Sequence, residues 1–134
     1  MDYYNLESEL PLGCQSFALL RSFGAVYVDK TAFVYQIAKH IRPQILTRPR
    51  RFGKSTLLST LEELFLHGVK PLADQSDSPF KGLAIEPLWK DTGHYLVLHL
   101  DFHDLNSGRT AAQFEAALMR AITSFCHEQA LSVP

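Results

Sequence analysis

The chain has 134 residues, 46% of them apolar and 20% charged, with a formal net charge of −1. That length suits one domain of ordinary size, the composition argues against disorder, and the near-neutral charge argues against a generally basic surface for nucleic acid. Two distant cysteines, Cys14 and Cys126, form no CxxC pair or disulfide framework, and no apolar run reaches the ~20 residues that cross a bilayer, so a reduced, cytoplasmic protein without membrane contact is expected.

Residues 1–15 read as an irregular lead-in broken by Pro11 and Gly13. Ser16 is placed to cap a short helix from Phe17 to Phe23, which Gly24 ends. Residues 25–28 are either a strand or an extended arm. Asp29 is placed to cap a helix over residues 31–41, with Phe33, Val34, Ile37, Ala38 and Ile41 at helical spacing and Pro43 as its stop. Residues 44–47 then read as a short apolar strand. A loop from Arg48 to Gly53 leads into a helix from Lys54 to about Leu66, whose buried side carries Leu57, Leu58, Leu61, Leu64 and Phe65. Residues 67–94 are loop-rich and anchored by Phe80, Leu83, Ile85, Leu88 and Trp89. Residues 95–102 read as a second, more buried strand, and residues 106–108 as a turn. Thr110 caps a last helix from Ala111 to about Gln129, with Phe114, Ala117, Leu118, Ala121, Ile122 and Phe125 on one face.

Charge is unevenly spread along this order. No Asp or Glu occurs from Lys30 to Leu61, a stretch that holds Lys30, Lys39, Arg42, Arg48, Arg50, Arg51 and Lys54. One local cationic site fits this better than a diffuse basic surface. Its centre, Arg48-Pro49-Arg50-Arg51-Phe52-Gly53-Lys54-Ser55-Thr56, lies between the expected strand and helix, the context of a phosphate loop. A helix start offers unpaired N–H groups and the positive end of its dipole. Gly53 lets the backbone approach a phosphate oxygen. Lys54 is placed to reach the β- and γ-phosphates of ATP and to carry any catalysis, Ser55 to hold Mg²⁺ through its hydroxyl, and Thr56 to line the site. The usual motif opens on a glycine; here Arg48 stands there, and Arg50 and Arg51 add charge-assisted donors. Helices alternating with strands around such a loop predict an α/β fold of P-loop NTPase type, the first part of a parallel sheet with flanking helices.

Several segments together resemble the AAA-ATPase-like family of predicted bacterial and archaeal P-loop ATPases. They are Phe17-Ala-Leu-Leu-Arg21, Tyr27-Val-Asp-Lys-Thr31, Leu46-Thr-Arg-Pro-Arg-Arg-Phe-Gly-Lys-Ser55, Leu57-Leu-Ser-Thr-Leu61, Phe80-Lys-Gly-Leu83 with Trp89, and Leu98-His-Leu-Asp-Phe102. The resemblance spans roughly residues 16–125 and includes the arginine-bearing loop without its first glycine. It implies an ATPase whose Walker B strand, with the acids for hydrolysis, lies further downstream, often before a nuclease-like domain. Residues 16–134 are thus expected to be the N-terminal part of such a domain, which binds ATP and leaves hydrolysis open.

Other signals are weaker. Asp101, at the end of an apolar run, is a candidate for water-mediated Mg²⁺ binding or an ordinary strand-end acid. His99, Asp101 and His103 alternate and would share a face on a strand, as a metal trio or as polar surface. Tyr27 and Lys30 are candidates for the base or ribose side of a nucleotide, against a packed aromatic beside a helix cap. Arg109 is a remote candidate for phosphate. Two rival readings stand beside nucleotide binding: an arginine-rich nucleic-acid module, and an interaction fragment whose incomplete sheet is covered by a partner or a second copy.

Overall fold

The computed structural model describes residues 13–71, 77–105 and 110–131, apart from the side chains of residues 104 and 105. Most of the expected lead-in, the turn at residues 106–108 and Arg109 lie outside them. The regular structure is helical: α1 (Phe17–Ser22), α2 (Thr31–Lys39), α3 (Lys54–His67), α4 (Phe102–Leu105) and α5 (Ala111–Glu128). The chain divides into two compact units, Met1–Tyr95 and Leu96–Pro134.

The expected α/β fold, with a parallel sheet of P-loop NTPase type, is overturned, because the described residues form no strand. Residues 44–47 are irregular and exposed, Ile45 by 91%. Residues 95–101 are irregular as well, anchored at their start by Tyr95 N–H, which donates to Phe65 O at 2.9 Å. A strand exists only through ladder bonds to a neighbour, and these apolar runs have no such neighbour among the described residues. His99, Asp101 and His103 therefore share no strand face, and no His, Cys, Asp and Glu cluster fit for a metal ion occurs among the described residues.

In the first unit, Phe17, Val34, Leu64, Phe80, Leu83 and Ile85 form one buried cluster, with Tyr27, Leu57, Leu61 and Trp89 packed at its edge. It unites α1, α2, α3 and the segment 77–89. Ser16 caps α1 as expected, its hydroxyl accepting from Leu19 N–H. Phe17 N–H, one of that helix's free donors, reaches Ser59 Oγ on α3 at 3.0 Å. Arg21 joins α1 to the later segment by donating from Nε to Pro79 O and from Nη2 to Lys81 O, both at 2.8 Å.

The start of α2 is held by Asp29. Its Oδ1 accepts from Thr31 N–H at 2.8 Å and from the Thr31 hydroxyl at 2.6 Å, and its Oδ2 accepts from Ala84 N–H at 2.8 Å. Thr31 Oγ1 in turn accepts from Ile85 N–H at 3.1 Å. The helix stops at Lys39, two residues short of the expected Ile41, which is fully exposed. On α3 the buried positions are Thr60 and Leu64, while Leu58, expected inside, is 52% exposed. Trp89 stacks edge-on to Phe65, ring centres 5.9 Å apart.

In the second unit, α5 opens on a full capping box. The Thr110 hydroxyl accepts from Gln113 N–H, and the Gln113 side chain accepts from Thr110 N–H. Ala117 is buried, and Phe114, Leu118, Ala121, Ile122 and Phe125 are half-buried on the same side, the face expected from spacing. The Phe114 ring lies 6.1 Å from that of Phe102 on α4, in a stacked arrangement. No helix among the described residues is long and apolar enough to cross a membrane.

Candidate functional site

The loop from Arg48 to Gly53 is exposed throughout and turns over residues 50–53 into α3. Its backbone angles alternate in sign. Arg51 (φ 65°) and Gly53 (φ 74°) are left-handed, while their neighbours Arg50, Phe52 and Lys54 keep negative φ. Alternation of this kind turns successive N–H groups toward one side of the chain, a concavity suited to an anion. Gly53 is the residue for such a φ, and a Cβ there would meet no atom within 4 Å, so the backbone angle rather than crowding selects glycine.

The first helical bond of α3 runs from Leu57 N–H to Gly53 O at 2.9 Å. The N–H groups of Lys54, Ser55 and Thr56 therefore precede the ladder and open toward the loop. Lys54 folds back over it: its ammonium donates to Arg48 O and Pro49 O, both at 2.8 Å. The charge of Lys54 is thus already inside the turn. The Thr56 carbonyl accepts from the Thr60 hydroxyl at 2.7 Å, which ties the first turn of α3 to a buried threonine. The sequence signal for Thr60 was only its position one turn below Thr56 on a leucine-rich helix.

The remaining candidates have partners of their own. Tyr27 is half-buried, meets Phe17 edge-on at 5.3 Å between ring centres and has Thr60 as a side-chain hydrogen-bond partner; burial raises its phenol pKa. Partial burial pushes the Asp29 carboxyl up, but the Thr31 hydroxyl, the Ala84 and Thr31 N–H groups and the Arg21 charge outweigh it and hold that carboxyl below its ordinary range. Asp101 belongs to the second unit, where its Oδ1 accepts from His103 N–H at 2.8 Å and caps α4. Two clefts of the first unit, of about 370 Å³ beside His67 and His94 and about 610 Å³ beside Tyr35 and Trp89, have no loop residue in their walls.

Mg²⁺ makes its own demands on a set of donors. The ion takes oxygen ligands and is ordinarily held by one or two carboxylates together with substrate phosphates. Within residues 48–56 the side-chain oxygens are the hydroxyls of Ser55 and Thr56, and no acid occurs from Lys30 to Leu61. Glu62 lies seven residues past Ser55, about 10 Å along the helix axis. The other described acids of this unit are engaged elsewhere: Asp29 with Thr31 and Ala84, Glu63 beside His67, Asp77 with Lys81, Glu86 with Gly82 N–H, and Asp91 with Tyr95. Residues 48–56 by themselves do not fit a protein-held Mg²⁺.

A family model described as a predicted AAA-ATPase matches residues 11–132. The chain is also similar to an "Uncharacterized protein in vnfD 5'region" of Azotobacter chroococcum mcd 1, at 38% identity over 128 residues; the match covers 93% of this chain and 22% of that protein. The chain thus spans less than a quarter of that relative's length. No solved structure matches it.

Proposed function

The chain belongs to the predicted AAA-ATPase family, and from that premise we propose that residues 48–56 hold the phosphates of ATP. The observation that carries this reading is the junction of loop and helix. Alternating backbone signs at residues 50–54, free N–H groups at the start of α3 and the Lys54 ammonium all converge on one short segment. Arg48, Pro49, Arg50, Arg51, Phe52 and Gly53 form the rim, with three guanidinium groups exposed to solvent. Ser55 and Thr56 supply N–H groups and hydroxyls at the floor.

Chemically, the segment offers positive charge and donors and no general base. It binds and orients a polyphosphate and leaves activation of water to groups elsewhere. Lys54 is the residue on which the reading stands, because it alone combines a full charge with a position inside the turn. Titration calorimetry with ATP on the intact chain and on Lys54→Ala tests it. Binding is expected for the former and a loss of at least about tenfold for the latter, the worth of one charge-assisted hydrogen bond. Equal affinity in the two proteins would sink the assignment.

A further inference from the structure

We propose that the loop takes the polyphosphate chain of its nucleotide in the metal-free form, with its arginines in the place of the divalent ion. This rests on the phosphate-binding role of residues 48–56. Charge supplies the first ground. Arg48, Arg50, Arg51 and Lys54 put four positive charges on seven consecutive residues, and no acid lies within the stretch 30–61 to offset them. A metal-free nucleoside triphosphate brings about four negative charges at neutral pH, and one divalent ion cancels half of them. The loop matches the bare anion and is over-charged for the metal complex.

Donor chemistry supplies the second ground. A bound metal needs oxygen ligands, and the described carboxylates of this unit are held by Thr31, Ala84, Lys81, Gly82 and Tyr95, lie beside His67, or stand about two turns along α3. The loop carbonyls of Arg48 and Pro49, which could otherwise face a cation, are already filled by the Lys54 ammonium at 2.8 Å. A divalent ion arriving with the nucleotide would sit among cations, with hydroxyls as its protein ligands. The guanidinium groups of Arg50 and Arg51 are planar, always charged and suited to bidentate contact with phosphate oxygens. They do what the ion does elsewhere, which is to neutralise and bridge neighbouring phosphates.

Calorimetric titration of the intact chain with ATP, once with EDTA and once with saturating Mg²⁺ at matched ionic strength, tests the proposal. The dissociation constant is expected to rise about tenfold on going from EDTA to Mg²⁺, the loss of one charge-assisted contact. In the Arg50→Gln/Arg51→Gln protein, EDTA affinity falls and the difference between the two conditions shrinks. Affinity that is equal or tighter with Mg²⁺ overturns the metal-free form. If Lys54→Ala still abolishes binding in that case, the phosphate site itself stands; if Lys54→Ala changes nothing, or no binding occurs in either condition, both readings fall.

Discussion

Arg51 holds a left-handed backbone angle that costs a side-chain-bearing residue about 1–2 kcal/mol, and a glycine would hold it without strain. Replacement by glycine should therefore separate two properties. Arg51→Gly is expected to leave denaturant stability unchanged or raise it by up to about 1 kcal/mol, the relief of strain less the added freedom of the unfolded chain. The same change should weaken ATP binding in EDTA by about tenfold. Paired denaturation and calorimetry check this, and an arginine held only as solvated charge would leave the affinity where it was. Gly53 is the complementary case, a left-handed position that already has its preferred residue.

The elements of the first unit are joined by their shared apolar cluster and by side chains that satisfy backbone groups on other segments. Asp29 is the clearest instance, because one carboxylate serves the first turn of α2 and the turn at Ala84. Asp29→Asn keeps an acceptor for one of them and turns an amide N–H₂ toward the other, at an expected cost of about 1 kcal/mol. The folded pKa is depressed, so the stabilisation is present above the ordinary carboxylate value of about 3.9 and is lost as pH falls through the lower folded value. Urea melts at a series of pH values should show the wild type and Asp29→Asn converging below about pH 4. Helix caps of this kind were legible in the sequence. Ser16, Thr110 and the apolar face of α5 follow from short-range rules that need no knowledge of the rest of the chain. The two apolar runs were not. Residues 44–47 and 95–101 have strand-like composition, but a strand is a relation between segments, and composition does not supply the partner. The same holds inside α3, where periodicity placed Leu58 inward and the structure buries Thr60. The cationic loop was legible because its signal, charge without acids beside a helix start, is local. Its alternating backbone signs were not, since arginine at a left-handed angle leaves no mark in composition.

Across the molecule, the first unit buries one small cluster and leaves large apolar side chains in solvent. Phe23, Val28, Ile41, Ile45 and Phe52 are all more than half exposed. The pairing of Trp89 with Phe65 has an experimental use of its own. Trp89 is the chain's single tryptophan, and its partner lies on α3, the helix that begins at the loop. Intrinsic fluorescence is therefore an optical readout confined to the first unit, while far-ultraviolet circular dichroism is dominated by α5 and α3 and reads both units. Melting curves recorded by the two methods on one untagged sample measure, by their separation, how far the two halves of the chain unfold together.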